Sequence, residues 1–312
     1  NAVSVAENRP ERYARDITIR YPIQLPFAGS ALRLTFDNYC GTEPVTLSKV
    51  TVFYGGEFYP VLVNGEREVR IPAGGTVVTD PLSVEINAWE LIQVSFYLGE
   101  FTLMRSVVYA CGPLSEGLYA NGDETENAKI DILTSRKTHL FYFLCNVSVL
   151  TEEDNRAIVC YGDSITAQDW PDCLALRCFQ EGYAKTAIIR RATSGSRILR
   201  QYDCLQYESY GLSGENRFSH EVPTDGADVV IIIMGDDEVV DGRNAVLGEL
   251  AADGGVVVGL TRIHEDDGII HADEDGVGVA RIQKIRAEDV GRILEGIGVG
   301  DLNDASRGRL GG

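Results

Sequence analysis

The chain has 312 residues, 44% apolar and 24% charged, an ordinary globular composition. At roughly 150 residues per domain that length points to two domains. Lys and Arg number 28 against 47 Asp and Glu, and the net charge of −19 argues against nucleic-acid or anionic-membrane partners, because it repels phosphate. Seven cysteines lie scattered without a C-x-x-C, which reads as buried free thiols in a reducing compartment. No apolar run approaches the roughly 18 residues of a membrane span, and no signal peptide is visible. The expected location is cytoplasmic, with secretion after removal of a leader as the alternative, since the chain opens on Asn1.

Residues from about 28 to 150 read as β-structure. Leu32, Leu34 and Phe36 alternate with polar neighbours, and Val45, Leu47, Val50, Val52 and Tyr54 continue in short runs. Turn signals recur at Tyr54-Gly55-Gly56, Asn64-Gly65 and Pro72-Ala73-Gly74-Gly75. Asn64-Gly65, between Val61–Val63 and Val69–Ile71, predicts a hairpin. Short strands at this spacing predict a jelly-roll-like β-sandwich over residues 1–153.

The pattern changes near Arg156. Ala157–Tyr161 predicts a buried strand running into Gly162-Asp163-Ser164. Asp169-Trp170-Pro171 predicts a helix start with Pro in the first turn, and Gly182 its end. Thr186–Ile189 and Val229–Met234 predict two further strands, the latter apolar throughout as a strand covered on both faces is. Strands alternating with helices predict βαβ units over residues 154–312: a three-layer α/β/α domain with a mostly parallel sheet.

The last 72 residues, 241–312, contain no Phe, Tyr, Trp, Pro, Cys or Met, yet hold 15 of the 33 glycines. Helices are predicted around Asn244–Ala252 and over 290–297, a strand at Gly255–Leu260, and disorder from Asp301 to Gly312. The domain therefore reads as shortened or degenerate after about residue 240.

Gly162-Asp163-Ser164-Ile165-Thr166 sits where a strand ends and a helix is about to begin. A serine there stands above the carboxyl edge of the sheet, where open α/β folds bind ligands, and becomes a nucleophile when a base such as His takes its proton. This block resembles the first motif of the GDSL-type esterases of the SGNH hydrolase superfamily, whose serine is the nucleophile. Ala192-Thr193-Ser194-Gly195-Ser196-Arg197 resembles the second motif, with Gly195 as backbone oxyanion donor. Gly235-Asp236-Asp237-Glu238 stands in place of the third, where the family has Gly-x-Asn-Asp. Asn216–Pro223, Phe36–Pro44 and Ile71-Pro72-Ala73-Gly74 resemble relatives that carry an N-terminal β-sandwich.

Two departures stand out. Asp237 replaces the Asn that would donate an N–H to the oxyanion, and an ionised carboxylate only accepts hydrogen bonds. The final Asp-x-x-His block is altered too: Asp267 lies four residues before His271, and Gly268 stands where the Asp belongs.

The resemblance implies cofactor-free hydrolysis of a short acyl ester, acetyl on a carbohydrate among the candidates. Ser164 would attack, His271 (or, as a weaker substitute, His264) would act as base, and Asp267 would orient it. The N–H groups of Ser164 and Gly195 would hold the oxyanion, with Asp237 at the third position. The alternative is a catalytically impaired homologue that binds a glycan or protein partner, and a third reading is that residues from about 236 are foreign to the family. His139 and His220 read as structural. The acidic run from His264 to Asp275 lacks H-E-x-x-H and a closing calcium-loop Glu, so no metal is expected.

Overall fold

The computed structural model describes residues 5–8, 12–131, 133–151, 155–183, 185–198, 211–224, 227–234 and 257–262. Two sheets dominate the part up to Leu150. One runs in the order Ser135–Thr138, Gly117–Asn121, Ile17–Gln24, Leu91–Leu98, Lys49–Tyr54, Glu57–Pro60, antiparallel at every step. The other pairs Gly29–Asp37 with Leu82–Ile86, Leu144–Leu150 and Thr76–Val78, again antiparallel. Their facing side chains share one apolar cluster that includes Ile19, Tyr21, Val94 and Phe96 from the first sheet and Leu32, Leu34, Phe36 and Leu144 from the second. Such a β-rich arrangement fits a β-sandwich.

The Asn64-Gly65 turn forms as predicted, with both residues at positive φ (52° and 81°), the geometry of the tight hairpin turn that Asn-Gly favours. Its ladder stops after the single Val63–Glu66 bridge. Val69–Ile71 pairs instead with Val45–Leu47, because Val69 and Ile71 are both buried in the core there.

From Arg156 the predicted elements appear at nearly the predicted places. The first parallel strand, Arg156–Gly162, lies between Thr186–Ala192 and Ala227–Met234, parallel to both. Helix α1 spans Trp170–Gln180, with Pro171 in its first turn, and the chain leaves it through Gly182 at φ 84°. Helix α2 spans Gly214–Glu221. Leu174, Ala175 and Cys178 of α1 pack with Ile158, Cys160, Ile188 and Ile231. Phe218 of α2 and Val222 just beyond it pack with the opposite-facing Ala157, Val159, Tyr161 and Val230. This alternation is what a strand covered on both faces requires.

The expected three-layer α/β/α fold with a mostly parallel sheet does not describe the molecule. Among the described residues 49% are strand and 9% helix, α1 and α2 are the two helices, and the sheets are mainly antiparallel. Up to Leu150 most strands pair antiparallel with partners far along the chain, such as Ile17–Gln24 with Leu91–Leu98 and Gly29–Asp37 with Leu144–Leu150, pairings that the local pattern of residues does not mark. The strand predicted at Gly255–Leu260 is found at Val257–Arg262, but antiparallel to Ala227–Met234 rather than as a further parallel unit. The helices predicted at 244–252 and 290–297 and the tail from Asp301 lie outside the described residues. No described helix is long and apolar enough to cross a membrane.

Candidate active site

The first parallel strand ends at Gly162, where nothing larger fits. A β-carbon there would lie 2.1 Å from the Ile233 carbonyl oxygen and 2.2 Å from Thr166 Oγ1. The chain then turns sharply on its own polar groups. Buried Asp163 accepts the Ile165 N–H at Oδ1 (2.8 Å), its carbonyl accepts the Ala167 N–H (2.9 Å), and Thr166 Oγ1 donates to Ile233 O (3.2 Å). An aspartate folding its side chain back onto the N–H two residues on is a local turn motif. The result leaves Ser164 and Ile165 exposed between buried Asp163 and buried Thr166. Ser164 thus stands just past the carboxyl end of a strand with parallel neighbours on both sides.

The neighbouring strand delivers the second turn. Gly162 is in register with Ala192, and the Thr193 N–H donates to Gly162 O at 3.1 Å. Ser196 N–H then donates to Thr193 O (3.1 Å), closing a turn whose third residue is Gly195 at φ 78°. That φ is the left-handed region, which a type II turn requires at this position and which glycine adopts without strain. Ser164 lies two residues past Gly162 and Gly195 three past Ala192, so adjacent strands, about 4.8 Å apart, carry them at one edge of the sheet.

Two side chains that the sequence reading did not single out hold this edge. Glu7, 2% exposed, accepts the Ser194 N–H (3.2 Å) and the Tyr109 N–H (3.3 Å) at Oε1, linking the second turn to the β-rich part. Arg217, fully buried on α2, donates from Nη2 to Gly162 O (2.6 Å) and from Nε to Ser196 Oγ (3.3 Å). Its Nη1 pairs with Glu221 Oε2 at 2.5 Å, and its guanidinium lies 4.5 Å from the centre of the Tyr161 ring. Burial pushes the Tyr161 hydroxyl pKa up, with Arg217 opposing, and that hydroxyl donates to Gly214 O at 2.5 Å. Neither side chain announces itself: Arg217 and Glu221 are spaced i,i+4, the pattern of a surface pair, and Glu7 lies 187 residues from Ser194.

His220 and His139 are held by structural partners. His220 Nε2 meets Asp37 Oδ2 at 2.5 Å, and its ring stacks on Tyr39 with centroids 3.8 Å apart. The Asp37 hydrogen bond raises the His220 pKa above its ordinary value, against the opposing effect of burial. His139 Nδ1 sits 3.0 Å from Ser115 O. Asp237, His264, Asp267 and His271 lie outside the described residues. Among the described residues no three His, Cys, Asp or Glu side chains are grouped to hold a metal ion.

No family model matches the chain, and no curated protein matches it. Among solved structures it is similar to a family two carbohydrate esterase from Clostridium thermocellum, in complex with cellohexaose, at 12% identity and a TM-score of 0.26, covering 80% of this chain and 67% of that one. A likeness of that size says nothing about activity.

Proposed function

We propose that the chain is a serine esterase acting on short acyl esters, acetyl groups on carbohydrates among them, with residues 154–312 carrying the chemistry and residues 1–153 shaping the cleft. One observation carries this reading: Ser164 is exposed at the tip of a tight turn past the carboxyl end of a buried strand, with the Gly195 turn on the next strand. In the reaction Ser164 Oγ bonds to the acyl carbon while its proton passes to His271, oriented by Asp267. The oxyanion is held by the N–H groups of Ser164 and Gly195. The carbon–alkoxy bond breaks as His271 returns the proton to the leaving alcohol. Water, deprotonated by the same base, then releases the acid and restores Ser164.

The test is hydrolysis of p-nitrophenyl acetate by the full chain and by Ser164→Ala. Activity is expected to fall at least about 10³-fold. Ser164 is exposed, so its stability should stay within about 0.5 kcal/mol. Equal activity in the two proteins would end the nucleophile assignment.

A second reading, a binding module with impaired catalysis, is favoured by Asp237 in place of a donor Asn. An acceptor at that position opposes the developing negative charge. Asp237→Asn is expected to raise hydrolysis roughly tenfold or more if the residue faces the oxyanion, since one donor there is worth about 10²–10³ in rate.

A further inference from the structure

Arg217 is an unusual choice for a core position. A guanidinium out of water loses hydration that its partners must replace, and an apolar side chain of similar volume often serves stability as well or better. Its fully buried place is therefore poorly accounted for by stability alone.

What the guanidinium touches gives the better account. Gly162 O, at the root of the Ser164 turn, receives Arg217 Nη2 at 2.6 Å and also the Thr193 N–H, at the root of the Gly195 turn, at 3.1 Å. Ser196 Oγ, inside the second turn, receives Arg217 Nε at 3.3 Å and itself donates to Leu212 O at 2.8 Å. One rigid, planar fork therefore reaches both turns at once. Its third edge is fixed by Glu221, whose own backbone carbonyl accepts Arg191 Nε at 2.8 Å. Arg191 Nη1 continues to Cys145 O (2.9 Å), which ties the arrangement to the β-rich part. A lysine ammonium in the same place has no plane and no fixed angle between donors.

We infer that Arg217 is a positioning residue that sets the spacing between the Ser164 turn and the Gly195 turn. This rests on the reading of Ser164 as nucleophile and Gly195 as oxyanion donor. A displacement of about 1 Å between such groups costs on the order of 10²-fold in rate, while substrate binding elsewhere in the cleft is untouched.

The test uses the full chain with Arg217→Met and Glu221→Leu combined, so that no unpaired charge is left in the interior. Replacing both members of a buried pair by apolar side chains commonly preserves stability, which circular dichroism and the melting temperature will check. Arg217→Lys is the companion variant. With p-nitrophenyl acetate, kcat of the double variant is expected to fall about 10²-fold with KM within about threefold, and Arg217→Lys is expected to recover part of the loss. Hydrogen exchange read by mass spectrometry supplies a second readout that needs no activity. Peptides covering 163–168 and 193–198 should lose protection together, about tenfold, while Arg156–Gly162 keeps its own.

A folded double variant with wild-type kcat and unchanged protection in both turns would overturn the inference. Loss of protection spread evenly over the sheet would also overturn it, since that marks a structural role only. Failure of the nucleophile reading looks different: Ser164→Ala would then keep wild-type activity, whatever the exchange data say about the turns.

Discussion

Between the two sheets of residues 17–150 the interior is almost entirely hydrocarbon. Its cluster of 26 buried side chains is centred on Phe96, whose ring meets Tyr21 at 5.8 Å, Phe36 at 6.0 Å and Phe143 at 6.5 Å. Around the parallel strands of residues 156–234 the apolar clusters among the described residues are smaller, seven buried side chains on each face. Charge fills much of the rest: Asp163, Asp172, Arg190, Arg191, Arg217 and Glu221 are all buried. The β-rich part also buries polar groups: Thr18, Arg20 and Thr51 bond to the backbone of Gly122, Glu124 and Thr125, and Glu7 and Asp37 are buried where they meet Ser194 and His220. The difference separates two tasks. Apolar burial stabilises in proportion to area and tolerates repacking. Buried ion pairs add little net stability but demand one geometry, which suits the part that must hold two turns in register.

Three substitutions would break or sharpen that contrast. Phe96→Ala should have the largest effect, a loss of about 3–5 kcal/mol in urea unfolding, because the side chain is wholly buried among other rings. A loss below about 1 kcal/mol would mean that the hydrocarbon interior is not the main source of stability.

Asp172→Ala comes next. Asp172 Oδ1 pairs with Arg190 Nη2 at 2.8 Å and accepts from Ser115 Oγ at 3.1 Å, while Oδ2 accepts from Leu114 N at 2.9 Å. Removing it strands a buried guanidinium and should cost about 3 kcal/mol or more, yet Asp172→Leu with Arg190→Met should be less damaged than Asp172→Ala, the remaining loss coming from the Leu114 N–H and Ser115 hydroxyl left without their acceptor. A double variant as damaged as the single would show that the pair stabilises in its own right.

The smallest effect is a pH dependence at the join between Asp37 and α2. The hydrogen bond to Asp37 raises the His220 pKa, with Glu221 adding to the effect and burial and Arg191 opposing it. A group whose folded pKa is raised stabilises fully below its unfolded value, about 6.5 for His, and loses that contribution as pH rises through the raised value. Unfolding free energy should therefore decline over that window, and His220→Gln should flatten the decline. A rise over the same window would show that the folded protein keeps His220 neutral.

Much of the local structure around Ser164 was legible. The apolar run at 157–161, the Asp-Trp-Pro helix start and Gly182 mark elements that the structure places within a few residues, because caps and burial on both faces leave local traces. Pairing was far less legible. Asn64-Gly65 fixes a turn but not the partner of Val69–Ile71, which is chosen by burial in the shared core. Three parallel strands likewise suggested that the next strand would be parallel too, since nothing local marks Val257–Arg262 as antiparallel. The residues around the candidate site divide the same way. Gly195 is dictated by its own backbone, whereas Gly162, Glu7 and Arg217 owe their places at least partly to partners remote in the chain.

Whether Ser164 is a nucleophile is read out by covalent capture. The full chain is treated with a fluorophosphonate, digested, and read by mass spectrometry, with Ser164→Ala alongside. One phosphonyl adduct is expected, on Ser164, blocked by prior unfolding and absent from the variant. An unlabelled Ser164 in the folded chain, or equal labelling of other serines, would contradict it.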